Sequence, residues 1–479
     1  MREPEADPIV TVGPGGDHAT LGEALASGRV GDHAERFPEI PLVLRLTRGF
    51  VLDEQVVIRR RRLGGLRIEA EEAVVPIRRE ALIREIGVDP YTRPRFPAFA
   101  GLDGAELPVL DCVFVMDDSG PWERRDGLVL AHGARAHLRP GAGIQGTGWS
   151  RDTREDEGAG IGAFVLTGST LLADGATFDH CARAIYARFG SQVNFRHGTA
   201  RHCGWTAIQL MESYMTCENA ILTDAGHYGL RARRTSYCNA QGVDVSRSNG
   251  HGVNSNEGSK INFRDGVARD CGWNRGDDYN DPPEQGMLAT ECSTISAMNA
   301  VVTEAATNAV FARAGSFIDF RDGEASSGSG APALRVENGS FIAAGGAQGS
   351  LSQIANLVTG DGAILDPDRA LGGRFEVAEG QSVRLRPGLP GGRMVLIANG
   401  EGRSPDLRCS GEFFYDVGQS PDLMTVRCGK HLKVVLADDE HALEGVPGAC
   451  TVVLDQGAIR VINRRSPPGR SIRFRYRIA

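Results

Sequence analysis

The sequence predicts an all-β chain built mainly as a right-handed parallel β-helix, and three observations lead to that fold class. The phrase NFRHGTARHCGW at 194–205 returns 68 residues later as NFRDGVARDCGW, with nine of twelve positions identical. Apolar residues recur about every 23 residues through the middle of the chain. Within each repeat, apolar and polar residues alternate, as in AIYARFGSQVNFR, which is strand periodicity rather than helix periodicity.

The recurring apolar positions form the first column of the repeat. They are Ala163, Ile185, Ile208, Leu230, Val253, Met287, Val310, Leu334 and Leu357. Successive members lie 22 to 24 residues apart, except for a step of 34 between Val253 and Met287. Self-similarity of this length is typical of a solenoid. The longer step therefore predicts one coil that carries an insertion of about eleven residues.

Two further columns indicate the kind of solenoid. An apolar column lies eight positions after the first, as at Val193 and Ile261, and a small-residue column lies eighteen positions after it, as at Cys203 and Cys271. The Leu-rich signature of leucine-rich repeats is missing. Three short strands per coil of about 23 residues fit the pattern best, with neighbouring coils stacked in parallel about 4.8 Å apart.

The two ends of the chain differ from the repeats, so we expect three parts: an N-terminal cap with the first coils at 1–120, the β-helix at 121–372, and a C-terminal β-sandwich at 373–479. Thr20 and Glu23 have the spacing of a capping box, which predicts a short helix that covers the end of the coil stack. After 373, strand-like runs such as RMVLIANG and LKVVLADD follow at shorter spacing, which predicts the sandwich.

Composition excludes several classes of protein. The net charge of −8 over 479 residues argues against nucleic acid as a partner, and no run of eighteen apolar residues predicts a membrane span. The start, MREPEADPIVTVGPGG, lacks the apolar stretch of a secretory signal peptide, so we expect synthesis in a reducing cytoplasm with the ten cysteines as free thiols. No cofactor and no metal site is expected.

The layout of the chain resembles a known family. A GGD turn before a short helix, followed by GFVLDEQVVI, resembles the start of pectin-lyase-like β-helices. A β-helix followed by a small β-domain that ends in IRVINRRSPPGRSIRFRYRIA is similar to the tail fibres and tail spikes of tailed phages and phage-like gene transfer agents. The resemblance implies a homotrimer in the virion tail, attached to other tail or baseplate proteins, that recognises and sometimes cleaves bacterial surface polysaccharide.

Residues beside the first column should point outward and line a groove. Guanidinium forks bind carboxylates and hydroxyl pairs, and aromatic faces stack on sugars. The glycan-binding residues predicted on this basis are Tyr186, Arg188, Arg231, Arg233 and Asn254. The alternative is a charged, solvated β-face that binds nothing.

Glu257 and Glu291 form the predicted catalytic pair. Each lies four residues after its member of the first column, so the two should stack on adjacent coils, roughly 5 Å apart. A retaining glycosidase separates its nucleophile and its acid by a similar distance. The alternative is a pair of turn carboxylates that Arg234, in the same column, neutralises.

The insertion NRGDDYNDPPEQG, at 274–286, is a second candidate site because long insertions in solenoids often carry function. Together with the preceding aromatic residue it adds four residues to the predicted glycan-binding set: Trp273, Asp277, Asp278 and Tyr279. Its carboxylates lack the spacing of an EF-hand loop, and a solvated loop is the alternative. Nearby, His251 in NGHGVNSN is interpreted as a turn residue, because the paired aspartates that accompany such a motif in polygalacturonases are absent.

Two function classes remain open at this point. The first is a virion adhesin that binds bacterial surface polysaccharide without cutting it. The second is a polysaccharide depolymerase, a glycosidase or a lyase, of the same architecture. We favour the adhesin because no catalytic constellation stands out in the sequence.

Overall fold

The structure is a computed structural model. It describes residues 8–30, 33, 41–88, 92–120, 123–148, 160–273, 283–329, 331, 333–336, 340–344 and 347–348, and the backbone of the strands between 358 and 478. Up to residue 145 the elements are β1 (Ile9–Val12), α1 (Leu21–Ala26), β2 (Leu42–Leu46), β3 (Val56–Arg59), β4 (Leu66–Ala70), β5 (Val74–Ile77), a 3-10 helix (Arg79–Ala81), β6 (Phe96–Leu102), β7 (Val109–Leu110), β8 (Val113–Met116), β9 (Arg125–Ala131), β10 (Arg135–His137) and β11 (Gly143–Gln145).

The repeat region consists of short strands. In chain order they are β12 (Ile161–Val165), β13 (Thr170–Leu172), β14 (Arg183–Arg188), β15 (Gln192–Asn194), β16 (Thr206–Met211), β17 (Tyr214–Thr216), β18 (Leu230–Arg233), β19 (Tyr237–Asn239), β20 (Val253–Ser255), β21 (Lys260–Asn262), β22 (Val267–Arg269), β23 (Met287–Ala289), β24 (Thr294–Ser296), β25 (Val301–Ala305), β26 (Val310–Ala312), β27 (Phe317–Asp319), β28 (Glu324–Ser327), β29 (Leu334–Val336), β30 (Phe341–Ala343), β31 (Val358–Thr359) and β32 (Ile364–Leu365).

The chain divides into two compact units, residues 1–301 and residues 302–479. In the first unit, one parallel sheet has the order β3-β6-β9-β12-β14-β16-β18-β20-β23, and a second has the order β10-β13-β15-β17-β19-β21-β24. Isolated parallel bridges, such as Thr177 to Thr199 and Thr199 to Ile221, form a third row. The predicted three strands per coil and the all-β, parallel β-helix class are therefore confirmed.

The register of the first sheet confirms the first column of the repeat. Ala163 pairs with Ile185, Ile185 with Ile208, and the pairing continues residue by residue to Met287. In the second unit Val310 pairs with Leu334, whereas Leu357 lies outside the described residues. The step of 34 leaves this register intact, since Val253 pairs with Met287.

In the phrase repeated at 194–205 and 262–273, a phenylalanine packs against the glycine three residues after it, which explains why these two residues recur. Phe263 is fully buried, and a Cβ atom built at Gly266 would lie 2.6 Å from Phe263 Cζ. The ring therefore occupies the space over its own turn, and only a glycine leaves that space open. The same pairing occurs at Phe195 with Gly198 and at Phe320 with Gly323.

The N-terminal helix has the predicted start. Thr20 Oγ1 accepts a hydrogen bond from the Glu23 backbone N–H at 3.1 Å, and Glu23 Oε2 accepts one from the Ala19 N–H at 3.0 Å. These two bonds satisfy amide groups that have no partner within the helix itself. Leu21 and Leu25 are buried, so one face of the helix packs against the protein.

The C-terminal strands belong to the second unit and pair mainly in antiparallel fashion. They are β33 (Gly372–Val377), β34 (Ser382–Leu385), β35 (Gly391–Gly400), β36 (Arg408–Asp416), β37 (Gln419–Arg427), β38 (Lys433–Leu436), β39 (Ala449–Asp455), β40 (Ala458–Arg464) and β41 (Ile472–Ile478). One sheet has the order β33-β41-β35-β36-β37 and the other β34-β40-β39-β38. Both sheets that the predicted sandwich needs are present. The predicted domain boundaries, 1–120, 121–372 and 373–479, stay predictions.

Replacing Gly266 by Ala should destabilise the fold. The added Cβ would overlap the Phe263 ring in a closely packed interior, and overpacking of this kind typically costs about 1 to 3 kcal/mol. Thermal unfolding of Gly266→Ala should therefore occur at lower temperature than that of the unchanged protein. Gly28→Ala is the matched control, since nothing lies within 4 Å of a Cβ at that position. Equal melting temperatures for the two variants would contradict the packing described.

Candidate functional site

The outer face of the first sheet carries the predicted binding residues in columns. Tyr186, Arg231 and Asn254 occupy equivalent positions on β14, β18 and β20, and Arg188 and Arg233 follow two residues later on their strands. Tyr186 and Asn254 are 3% and 4% exposed, and the three arginines are half-buried. Neither Tyr186 nor Asn254 is solvated, and the glycan-binding role of these residues stays a prediction.

Part of this burial comes from the segment made of residues 82–88 and 92–95, which we call the covering segment. Ile86 and Val88 pack in one apolar cluster with Phe164 and Tyr186, and Arg188 Nη1 donates a hydrogen bond to Thr92 Oγ1 at 3.3 Å. The N-terminal coils of the face are thus closed, and the coils from β16 onward form its remaining part.

A buried ion pair fixes the covering segment to the sheet. Arg95 Nη2 and Nε lie 2.6 and 2.7 Å from the two oxygens of Asp126, and both side chains are almost fully buried. Asp126 also accepts a hydrogen bond from the Ile161 N–H at 2.8 Å. Breaking such a pair leaves an uncompensated buried charge, so the segment is held firmly in place.

Beyond the covering segment, the outer face contains buried amides. Gln209 is fully buried, and neither its Oε1 nor its Nε2 has a hydrogen-bond partner in the described part of the chain. The same holds for Oδ1 of Asn254 and of Asn256, which are 4% and 9% exposed. An unsatisfied buried polar group costs about 1 to 3 kcal/mol, so three of them on one face call for a ligand or another functional reason.

Positive charge exceeds negative charge on this face. Over β14, β16, β18, β20 and the turns that follow them, five arginines lie near two glutamates: Arg183, Arg188, Arg231, Arg233, Arg234, Glu212 and Glu257. The Arg231 guanidinium lies 4.5 Å from the centre of the Tyr228 ring, a cation–π contact that holds it over the sheet. On the coils from β16 to β23 positive charge is not in excess, because Glu212, Glu257, Glu284 and Glu291 accompany Arg231, Arg233 and Arg234.

Glu257 and Glu291 stack as predicted. The backbone N–H of Gly258 donates to the Glu291 carbonyl at 2.9 Å, and both glutamates lie in left-handed turns, with φ of 54° and 56°. Glu257 Oε1 lies 2.6 Å from Arg233 Nη2, and Oε2 lies 3.3 Å from Arg234 Nε. Burial raises the pKa of Glu257, but the arginine contacts outweigh it and lower that pKa below its ordinary value. Glu257 is thus ionised, and the catalytic role of the pair stays a prediction.

A cluster that the sequence interpretation missed lies at the turns before the first strands. His227 and Tyr228 precede β18, His251 precedes β20, and Glu284 precedes β23. Glu284 Oε2 lies 3.5 Å from His227 Nε2 and 3.6 Å from His251 Nδ1, and it accepts the His251 backbone N–H at 3.0 Å. Aromatic rings enclose His227: its centroid lies 3.8 Å from that of Tyr228 and 4.4 Å from that of Trp205.

A glycine allows this cluster to form. A Cβ at Gly250 would lie 2.7 Å from Glu284 Oε2 and even closer to the His227 ring. Gly250 therefore lies between the two side chains, which belong to coils that are not adjacent, and its missing side chain lets them meet. His251, which was interpreted as a turn residue, has its side chain buried against Glu284.

The remaining predicted residues contribute less to the site. Trp273 is half-buried, whereas Asp277, Asp278 and Tyr279 lie outside the described residues. No group of three His, Cys, Asp or Glu side chains in the described ranges is arranged to hold a metal ion. No helix among the described residues is long and apolar enough to cross a membrane.

The cysteines of the small-residue column are unsuited to nucleophilic chemistry. Cys181, Cys203 and Cys271 are fully buried. Burial raises the pKa of Cys181 to about 11 and that of Cys271 to about 12, so both thiols stay protonated. They fill the interior, as predicted from their spacing.

Comparison with known proteins agrees with the fold. Residues 157–325, about a third of the chain, match the family model described as right handed beta helix region. This part of the chain is a right-handed β-helix. No curated protein matches the chain.

The solved structures that match this chain are only distantly similar to it in sequence and in backbone geometry. The siphovirus 9NA tailspike receptor binding domain is 10% identical, with a TM-score of 0.34 over 99% of each chain. The gp42 tailspike of an Acinetobacter phage is 11% identical, with a TM-score of 0.37 over 81% of this chain and 76% of that one. A mannuronan C-5 epimerase A-module of Azotobacter vinelandii is 12% identical, with a TM-score of 0.33 over 70% and 90%. At these values none of the three indicates a function for this chain.

The buried His251 should make the protein sensitive to acid. Burial lowers its pKa from 6.5 to about 4, although Glu284 acts in the opposite direction. Between these pH values the unfolded chain binds the proton and the folded chain does not, so stability is complete above pH 6.5 and falls as the pH drops towards 4. The total loss should be roughly 3 kcal/mol.

The measurement is the free energy of unfolding in denaturant at a series of pH values. His251→Asn, which keeps a polar side chain but does not titrate, should have a flatter profile over the same range. Glu284 loses its charge only at lower pH, because its contacts with the histidines hold its pKa below the ordinary 4.5 despite burial. Parallel profiles for the variant and the unchanged protein would contradict this assignment.

Proposed function

We propose that the chain is a tail-fibre or tail-spike adhesin of a tailed phage or phage-like gene transfer agent, and that it binds an acidic polysaccharide of the bacterial surface. The observation that carries the binding proposal is the outer face of the first sheet, where arginines border buried amide oxygens that have no partner among the described residues. The assignment to a particle tail rests on the sequence layout, a β-helix followed by a small β-domain, which resembles tail fibres and spikes.

The chemistry of the face matches a sugar acid. An amide offers a donor and an acceptor side by side, as does a pair of sugar hydroxyls, so Asn254 and Asn256, which keep some exposure, suit hydroxyl groups. The arginine fork at Arg231 suits a carboxylate. Burial of these groups strengthens each hydrogen bond that a ligand would complete.

Replacing Arg231 by Ala should weaken binding of an acidic polysaccharide, because a charged hydrogen bond contributes about 1.5 to 3 kcal/mol. Arg231→Ala with Arg233→Ala should weaken it further, and binding of the unchanged protein should fall with rising salt, since part of the attraction is between exposed charges. The measurement is attachment of labelled protein to host cells or to their purified polysaccharide. Arg264→Ala, at an exposed position on another side of the coil, is the control. Normal attachment of the double variant would place the binding surface elsewhere, such as in the C-terminal sheets.

We also propose that the adhesin is a homotrimer in the particle tail, mounted on other tail or baseplate proteins. The sequence resemblance supports this assembly, and the C-terminal β-domain is the part that we expect to hold the subunits together. Light scattering at micromolar concentration should give about three times the chain mass of 51.2 kDa. A mass of one chain would contradict the trimer.

A depolymerase is the second candidate. For the pair Glu257 and Glu291, the ionised Glu257 suits the role of nucleophile rather than acid.

A further inference from the structure

We infer that the outer face of the second sheet binds neutral sugar chains, at a site separate from the first-sheet face that is proposed to bind acidic polysaccharide. The site, which we call the strip, consists of the outward side chains of β13, β15, β17, β19, β21 and β24. It goes beyond the proposed function, because the sheet, the class of ligand and the kind of interaction all differ.

The strip is almost free of charge. The middle residue of each of its six strands is buried, and the two residues beside it point outward. Of the twelve outward residues, all within the described ranges, Lys260 alone carries a charge, whereas 24% of the residues in the whole chain are charged. The others are Thr, Ser, Asn, Gln, Leu and two Tyr. The strip therefore suits a ligand that is itself uncharged.

The two tyrosines have open ring faces. Tyr214 and Tyr237 pair in register on β17 and β19, and they are 57% and 44% exposed. Phe317 and Phe341 pair in the same way in the second unit, and their rings stack with centroids 5.3 Å apart. The rings of Tyr214 and Tyr237, in contrast, contact no aromatic ring in the described part of the chain. An aromatic pair that serves stability alone would cover its faces, and this pair leaves them to solvent.

Open tyrosine faces suit pyranose rings. The C–H groups on one side of a sugar ring pack against the electron-rich face of an aromatic ring, and this contact needs no charge on either partner. Gln192 and Lys260 pair with Tyr214 and Tyr237 from the coils before and after them. Both side chains are exposed and have no partner among the described residues. They can therefore form hydrogen bonds with the hydroxyl groups of a stacked sugar.

The dimensions of the strip suit a linear chain rather than a protein. Six strands about 4.8 Å apart give a length of about 24 Å, and three residues per strand give a width of about 10 Å. The resulting area of about 240 Å² is well below the roughly 800 Å² that each partner buries in a stable protein interface. A sugar chain that lies across the coils is narrow enough for the strip, and each coil presents side chains to one part of it.

A cavity of about 270 Å³ lies at the N-terminal end of the same sheet. Its lining includes Thr170 and Leu172 of β13 together with Arg135 and His137 of β10. Because β10 pairs directly with β13, the cavity continues the strip by one coil. Pockets for drug-sized ligands measure roughly 300 to 1,000 Å³, so this smaller cavity suits a single terminal sugar. The chain would thus end at β10.

The test titrates the full chain with hexasaccharides of glucose, of mannose and of N-acetylglucosamine in an isothermal calorimeter. We expect at least one of them to bind with an affinity that stays constant as salt rises, because no ionic contact is involved. Polygalacturonate, titrated in parallel, reports on the first-sheet face, where binding should fall as salt rises. The two sites can therefore fail independently.

Tyr214→Ala and Tyr237→Ala should each lower the affinity for the bound hexasaccharide about tenfold, which corresponds to about 1.4 kcal/mol for one lost stacking contact. Tyr237→Phe keeps the ring and should retain most of the affinity. Ile83→Ala is the matched control, because it removes a side chain that is apolar and 75% exposed but lies outside the strip. Thermal melting checks the fold of each variant. On the unchanged protein, bound hexasaccharide should protect Tyr214 and Tyr237 from nitration by tetranitromethane.

Three results would overturn the inference. They are binding of none of the three hexasaccharides, an unchanged affinity in folded tyrosine-to-alanine variants, and a lower oligomer mass of those variants in light scattering. The last result would identify the strip as an interface between copies of the chain. Failure of polygalacturonate binding and of attachment to host cells would count against the first-sheet face and leave the strip in place.

Discussion

Parallel backbone pairing between coils is the constraint on which the rest of this structure depends. The pairing aligns Ile185, Ile208 and Leu230 directly, so each side chain stands over its equivalent in the previous coil. Two-residue alternation then sends one set of side chains inward and the other outward. Any chemistry on the outer face must consequently be assembled as columns, one residue per coil, with a spacing of about 4.8 Å.

This constraint decides which side chains can cooperate. Neighbours in a column meet easily, as Arg234 meets Glu257 at 3.3 Å, and so charged turn residues are readily neutralised. Side chains two coils apart meet only where the residue between them is small. Gly250 is such a residue, and it permits Glu284 to reach His227. This contact therefore requires a glycine at position 250. Contacts between charged neighbours in one column, such as that of Arg234 with Glu257, require no such residue.

Much of the fold was predictable from the sequence because interior columns are periodic. The register of the first and second sheets follows the predicted columns, as at Val193 and Ile261 in the second sheet. Periodicity does not explain why a glycine follows each repeated phenylalanine by three residues. The structure explains it, because the phenylalanine ring occupies the space that a side chain at the glycine would fill. The site was less predictable. The covering segment has no repeat signature, so the burial of Tyr186 could not be inferred. Glu284 lies near the end of the insertion at 274–286, which displaces it in sequence from the column to which it belongs in space.

Burying unsatisfied polar groups on the outer face lowers the stability of the fold, and we interpret this loss as serving ligand binding. A face made only for stability would carry apolar side chains where Gln209, Asn254 and Asn256 lie, since apolar groups of similar size require no hydrogen bonds. The N-terminal coils of the same sheet are built in that way, with Val129, Phe164 and Leu166 beneath the covering segment. Polar residues begin where that apolar cluster ends, and the histidine–glutamate cluster follows on the next coils. The change along one sheet, from an apolar face sealed by protein to a polar face with unsatisfied groups, marks the coils from β16 to β23 as the part of the molecule shaped for a ligand.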